Sequence, residues 1–164
     1  MCAIYDPDAR LGVFKRFEDV PEDYHLANFA GTYRDRDPFE EWAESTGQLD
    51  YAKRKVDNLR RTWRFWCEHM DEQDRHPVCP DPSHVEAFFQ RLLDGEFGRN
   101  SWSESRTPLT VYLEYYTTLN EFFQWLVYRT DHDHVFNPVA MAMATFRDGA
   151  SGAVWDARVK QCEK

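Results

Sequence analysis

The sequence has no long hydrophobic run, few cysteines and very few lysines, and the first two shortages each exclude a class of protein. No apolar stretch approaches the ~18 residues of a membrane-spanning helix, so we expect no membrane partner. Residues 1–16 lack the basic start and apolar run of a signal peptide, which predicts a cytoplasmic location. The four cysteines, Cys2, Cys67, Cys79 and Cys162, are too sparse and irregular for a disulfide framework.

The charge composition is acidic, and its cations are mostly arginine rather than lysine. Lys and Arg together number 20 against 29 Asp and Glu, for a net charge of −9, and 15 of the cations are Arg. Few lysines and an acidic surface are typical of cytoplasmic proteins from halophiles. The 42% hydrophobic and 16% aromatic content is enough for a packed core and excludes a wholly disordered chain. A length of 164 residues favours one globular domain with tails.

The pattern along the chain predicts an all-α protein, because no segment shows the sustained alternation of a strand. Residues 1–37 are predicted to form a partly ordered arm, 38–146 one bundle of four or five helices, and 147–164 a C-terminal linker or tail. Helix-start signals, mostly a capping residue before proline, divide the bundle. The predicted helices are 38–47, 49–70, a segment from Ser83 to Leu92, 107–129, and a short last helix from Pro138 to Phe146.

The helix predicted over 49–70 is unusually basic for this chain. Between Tyr51 and Trp66 there are six cations and one anion, Asp57, for a local balance of +5. A helical wheel places Arg54 and Arg61 directly opposite the apolar stripe. That stripe consists of Ala52, Val56, Leu59, Trp63, Trp66, Cys67 and Met70. Phe65 falls outside the stripe, and we expect it to pack under the N-terminal arm.

The order of these elements resembles the N-terminal core-binding domain of tyrosine recombinases, the phage-type integrases. In that family a tyrosine opens the first helix, aromatic residues close it, a Ser/Thr-rich approach leads to an aromatic helix, and an Asn-Pro pair follows. The matching positions are Tyr51; Trp63, Trp66 and Cys67; Val85 to Leu92; Ser101 to Thr110; Leu119 to Leu126; and Asn137-Pro138. The resemblance covers about two-thirds of the chain.

The resemblance implies a SAM-like orthogonal bundle that grips double-stranded DNA during recombination or integration, with no cofactor. Further expected partners are a recombinase catalytic domain or other recombinase protomers. Phosphate or base contacts are expected from cations and hydroxyls on the first long helix and around the start of the 107–129 helix. The candidates are Lys53, Arg54, Arg61, Arg64, Arg99, Arg106, Thr107 and Thr110.

The catalytic features of the family are not present in this sequence. Only 26 residues follow Pro138, and none of the six histidines has an arginine three residues later, as the family's His-x-x-Arg motif requires. We therefore expect no strand-cleavage chemistry and no enzymatic activity from this chain.

Several alternatives stay open at this stage. The basic face could be an ordinary solvated helix surface, and Thr107 could simply cap its helix. The chain could be a helical protein-interaction module that pairs with or modulates a full-length recombinase. A less favoured zinc site would use four residues within a span of thirteen, at a spacing unlike the common zinc patterns. Those residues are Cys67, His69, His76 and Cys79.

Overall fold

The computed structural model describes residues 5–98, 105–129 and 131–164, and every regular element in these ranges is helical. The all-α prediction is confirmed. None of the helices described is long and apolar enough to cross a membrane. The α-helices of these ranges are α1 (Pro38–Ser45), α2 (Lys53–Glu72), α3 (Pro82–Leu93), α4 (Pro108–Val111), α5 (Thr117–Tyr128), α6 (Pro138–Thr145) and α7 (Ala150–Cys162). The 3-10 helices are Pro7–Arg10, Phe17–Asp19, Glu22–Tyr24, Leu26–Tyr33 and Gln48–Asp50.

Helices α4 and α5 are joined without a break by a π-helical turn, Tyr112–Tyr116, and we call residues 108–128 the long helix. The hydroxyl of Thr62 on α2 donates to the main-chain carbonyl of Glu114 inside this turn, at 2.9 Å. A side chain that bonds to the helix backbone is a known cause of such local irregularity. The π turn therefore lies where α2 meets the long helix.

Local sequence explains where four of the helices begin. Each has a polar capping residue followed by proline, whose fixed φ suits the first helical position and whose missing N–H costs nothing there. The Asn137 Oδ1 atom, for example, accepts from the N–H groups of Val139 and Ala140 at 2.9 and 3.2 Å. The four cap and proline pairs are Asp37-Pro38, Asp81-Pro82, Thr107-Pro108 and Asn137-Pro138.

Trp66 of α2 lies at the centre of the core. It is fully buried, and its ring lies 5.2 Å from that of Phe88 on α3 and 6.2 Å from that of Phe123 on α5. Its indole N–H donates to the carbonyl of Pro77 at 2.8 Å, so the polar atom of this large side chain is satisfied. One aromatic residue thus ties three helices and a loop together.

The buried face of α2 differs from the predicted apolar stripe. Ala52 is exposed and Trp63 only half-buried, whereas the polar residues Thr62 and His69 are fully buried. The prediction for Phe65 was wrong: its ring stacks on those of Phe97 and Tyr115, not under the N-terminal segment. The buried face of α2 can include Thr62 and His69 because hydrogen bonds inside the protein satisfy both polar side chains. The buried residues of α2 are Leu59, Thr62, Phe65, Trp66, His69 and Met70.

The N-terminal segment, predicted as a partly ordered arm, is packed on the bundle from residue 5 onward. Leu26 and Tyr33 are buried at 0% and 1% exposure. The Tyr33 hydroxyl lies 3.0 Å from His132 Nδ1 and 3.5 Å from His134 Nδ1. These two histidines are themselves buried. The Tyr33, His132 and His134 rings therefore attach the N-terminal segment to the loop that precedes α6.

The C-terminal segment, predicted as a linker or tail, forms helix α7 and packs on α3. Its start lacks a side-chain cap of its own, and the Glu86 carboxylate of α3 takes that role. Glu86 accepts from the N–H groups of Ala150 and Ser151 at 2.7 and 2.8 Å. The charge also suits the positive end of the helix dipole. A contact across 64 residues thus caps this helix, which explains why local pattern did not reveal it.

Replacing Glu86 by alanine should therefore destabilise the protein by about 2 kcal/mol, since two N–H groups lose a charged acceptor. Urea denaturation would measure the loss. Glu163→Ala, at the exposed end of α7, is the matched control and should change stability by no more than about 0.5 kcal/mol. Equal stability of the two variants would contradict the assigned cap.

Candidate nucleic-acid interface

The first turn of α2 concentrates positive charge. Lys53, Arg54 and Lys55 are all exposed, and the turn has no acidic residue and no side-chain cap from Ala52. Cations at a helix N-terminus oppose the helix dipole and cost about 0.3–1 kcal/mol each. Unbonded N–H groups at the same end add to the positive potential. This turn is consequently a favourable place for an anion such as a phosphate.

The exposed positive surface continues along α2 as far as Arg64. Arg64 is exposed, and about 15 Å of helix separates it from Arg54 along the axis. One anion, Asp57, lies between them on the exposed side. Beyond Arg64 the exposed residues of the helix become acidic, namely Glu68, Asp71 and Glu72. We call Lys53, Arg54 and Arg64 the basic face of α2; none of the three has an ion pair within the described ranges.

Arg61 does not point freely outward as the helical wheel predicted. Its Nη2 atom lies 3.3 Å from Glu114 Oε2 on the long helix, and its side chain is 31% exposed. Its Nε atom is buried and has no hydrogen-bond partner among the described residues. The neighbouring Arg60 is bound to both carboxylate oxygens of Glu40, at 2.9 and 3.0 Å. Two of the six cations therefore serve contacts between helices.

Lys55, which was not among the predicted contacts, is exposed as well. Its ammonium group lies 3.5 Å from the centroid of the Tyr51 ring, a cation–π contact. Tyr51 is itself 51% exposed. The Tyr51 position that carried part of the resemblance thus lies beside the basic face. Sequence reasoning missed Lys55 because a helical wheel assumes the wrong buried side for α2.

Arg106 has a structural role, since its hydrogen bonds stabilise the turn that follows α3. Its guanidinium donates to the carbonyls of Leu92, Glu96 and Phe97 at 3.1, 2.6 and 3.4 Å, and so closes the turn after α3. Together with Arg61 it lines a pocket of about 180 Å³ beside the Phe65 ring. Most of its donors point to the protein itself, which leaves little for a phosphate. The predicted contact at Arg99 lies outside the described residues.

Thr107 and Thr110 form the start of the long helix. The Thr107 hydroxyl oxygen accepts from the N–H of Thr110 at 3.2 Å and its hydroxyl lies 3.1 Å from the Thr110 hydroxyl. Thr107 is therefore the N-cap, the alternative that the sequence left open. It also lines a groove against α7, together with Ala153 and Ala157, and that groove includes no residue of α2. Thr107 therefore lines a surface that none of the residues of the basic face shares.

The four residues of the zinc alternative are not arranged as a metal site. All four lie in the described ranges, where no group of three potential ligands is close enough to hold an ion. The His69 Nε2 atom donates to the carbonyl of His84 at 3.0 Å. Burial raises the pKa of the Cys67 and Cys79 thiols to about 12, so both stay protonated at neutral pH. These four side chains instead pack inside the protein or form hydrogen bonds with it.

Comparison with known proteins gives no family for this chain. No family model matches it, and the curated proteins and the solved structures hold no significant match. What the described fold and site define is a class: an all-helical protein with a basic helix surface on an otherwise acidic chain.

Proposed function

We propose that this protein binds double-stranded DNA in site-specific recombination or integration, as a core-binding domain without strand-cleavage chemistry of its own. In this proposal the bundle is the SAM-like orthogonal bundle that the order of elements resembles. The partners are duplex DNA and a recombinase catalytic domain or other recombinase protomers. The basic face of α2 is the DNA-binding surface.

The observation that carries the proposal is the state of Lys53, Arg54 and Arg64. They are exposed and free of ion pairs among the described residues, in a chain of net charge −9. Two of them occupy a helix end that their charge destabilises. A phosphate backbone would turn that cost into attraction, because neutralising phosphates releases the counterions of DNA. Binding of this kind is salt-sensitive and largely independent of base sequence.

Changing Lys53, Arg54 and Arg64 together to glutamate should abolish DNA binding without unfolding the protein. Fluorescence anisotropy with a labelled duplex across a salt series would measure it. The wild-type slope of log affinity against log salt should include about one unit for each of the three cations. Thermal unfolding should show equal or slightly higher stability, since two of the changes place an acid at the start of a helix.

The matched control changes three exposed cations away from α2 to glutamate, namely Arg34, Lys160 and Lys164. It alters the net charge by the same amount and should retain most of the affinity. If the control loses as much affinity as the α2 variant, binding depends on overall charge and not on the basic face. Absence of binding by the folded wild type at low salt would refute the proposal for this chain.

A second candidate function is a protein-interaction module that modulates a recombinase. The observation that favours it is the groove of about 470 Å³ between the start of the long helix and α7, with an apolar floor at Pro108, Leu109 and Ala153. Leu109 is 39% exposed there. A variant with Leu109→Glu that keeps DNA binding but loses recombinase binding would support this second function.

A further inference from the structure

A separate polar pocket lies between the N-terminal 3-10 helix Pro7–Arg10 and the long helix. Its volume is about 230 Å³. Tyr116, Asn120 and Gln124 line it from successive turns of the long helix, and Arg10 faces them across the pocket. Ala140 of α6 also lines it. None of the described lining residues carries a carboxylate.

The amide of Asn137, beside the pocket, has a fixed orientation. Its oxygen accepts from two N–H groups at the start of α6, as described above, so its NH₂ group must face the other way. That NH₂ group donates to Asn120 Oδ1 at 3.0 Å and to Gln124 Oε1 at 3.1 Å. The helix cap therefore decides how both neighbouring amides are turned.

Because their oxygens face Asn137, the NH₂ groups of Asn120 and Gln124 are turned away from it. Neither NH₂ group has a hydrogen-bond partner among the described residues, and both side chains line the pocket. Two amides that usually offer a donor and an acceptor thus offer the pocket donors only.

The other polar lining groups are the phenols of Tyr116 and Tyr128 and the Arg10 guanidinium, and each of them can donate. Burial raises the pKa of Tyr116 to about 12, against the opposing influence of the Arg158 and Arg10 charges, so its phenol keeps its proton. The Arg10 guanidinium has no ion pair in the described part of the chain and can only donate. Two amides, two phenols and one guanidinium therefore line the pocket, and none of its described lining residues is an anion.

We propose that this pocket binds the phosphate group of a small molecule. A phosphate offers several strong acceptor oxygens and negative charge, which complement two amides, two phenols and a guanidinium. The site goes beyond the proposed DNA-binding surface: Glu114, which contacts α2, and Tyr116, which lines the pocket, are two residues apart and therefore lie on nearly opposite sides of the long helix. A duplex held on the basic face of α2 is thus on the other side of that helix, and the occupant is a small diffusible phosphate.

The test is an NMR titration of the ¹⁵N-labelled chain with inorganic phosphate and with phenyl phosphate, observing the side-chain NH₂ signals of Asn120 and Gln124. Saturable shifts of both signals are expected, while acetate should give none. Arg10→Ala should weaken binding about tenfold, because it removes the one charged group among the described lining residues. Arg34→Ala, an exposed cation on the same N-terminal segment, should leave the affinity unchanged.

A second variant isolates the donor argument. Gln124→Glu keeps an oxygen for Asn137 to donate to and replaces the NH₂ group by an anionic oxygen, so it should abolish phosphate binding in a protein with unchanged unfolding temperature. Absence of saturable shifts, equal shifts with acetate, or full affinity in Gln124→Glu would each overturn the proposal. Shifts caused only by duplex DNA, and lost in the α2 triple variant, would assign the site to DNA instead. The DNA-binding assay is independent of this titration, so either proposal can fail alone.

Discussion

Replacing Gly152 by alanine should destabilise the protein by roughly 3 kcal/mol, the largest effect that we expect from adding one methyl group. A Cβ atom at this position would lie 1.9 Å from the carbonyl oxygen of Arg147 and 2.4 Å from its carbon. These are backbone atoms and cannot rotate away. Gly152 also donates its N–H to the carbonyl of Phe146 at 3.0 Å, which holds the first turn of α7 against this segment.

The substitution should therefore displace α7 from the bundle and expose Val154 and Trp155, which are buried at 0% and 2% exposure. Urea denaturation followed by tryptophan fluorescence would show a lower midpoint. Gly31→Ala is the matched control, because no atom lies within 4 Å of a Cβ there. It should be neutral or slightly stabilising, by about 0.5 kcal/mol. A Gly152→Ala protein as stable as the control would show that α7 does not approach residue 147 so closely.

Acidification from pH 7 to pH 5 should destabilise the protein strongly, mainly through its buried histidines. Burial is the first cause that lowers the pKa of five histidines, and it lowers that of His134 to about 4. Such a group is neutral in the folded protein while its unfolded form, of pKa about 6.5, already binds a proton. Its contribution is complete above pH 6.5 and is lost as the pH falls toward the folded pKa. The five histidines are His69, His76, His84, His132 and His134.

His134 alone should account for about 2 kcal/mol of this loss, since pH 5 lies about 1.5 units below the unfolded pKa and one pKa unit corresponds to about 1.4 kcal/mol. Its Nε2–H donates to the carbonyl of Val78 at 2.7 Å, and its Nδ1 atom faces the Tyr33 hydroxyl. A second proton on the ring would find no acceptor there other than Tyr33. The charged groups that act on His132 oppose each other: Asp131 and Glu41 raise its pKa, whereas Arg36 and Arg129 lower it.

Chemical denaturation at pH 7 and pH 5 would measure the effect, with His134→Gln as the variant. It should be less stable than wild type at pH 7 but show a weaker dependence on pH. His25→Gln, in the N-terminal segment and outside the cluster, should leave the wild-type dependence intact. A wild-type stability that is equal at the two pH values would contradict the buried neutral state of these rings.

The candidate site shows which functional residues a helical pattern can predict. The sequence indicated that the basic residues lie on one helix, and Lys53, Arg54 and Arg64 are exposed there as expected. It also placed Arg61 outward, which was wrong, because the carboxylate that pairs with Arg61 lies 53 residues further along the chain. A wheel built on residue type alone treats every cation as solvated.

The sequence by itself determined where most helices begin, because a capping side chain bonds to N–H groups two or three residues away and proline acts on its own φ. Only the tertiary structure decided which side of α2 is buried, how α7 is capped, and that His132 and His134 lie inside the protein. In each case the deciding partner is remote in sequence: Glu114 for Thr62, Glu86 for Ala150, and Tyr33 for His132. Such partners come together only when the chain packs, so no local pattern records them.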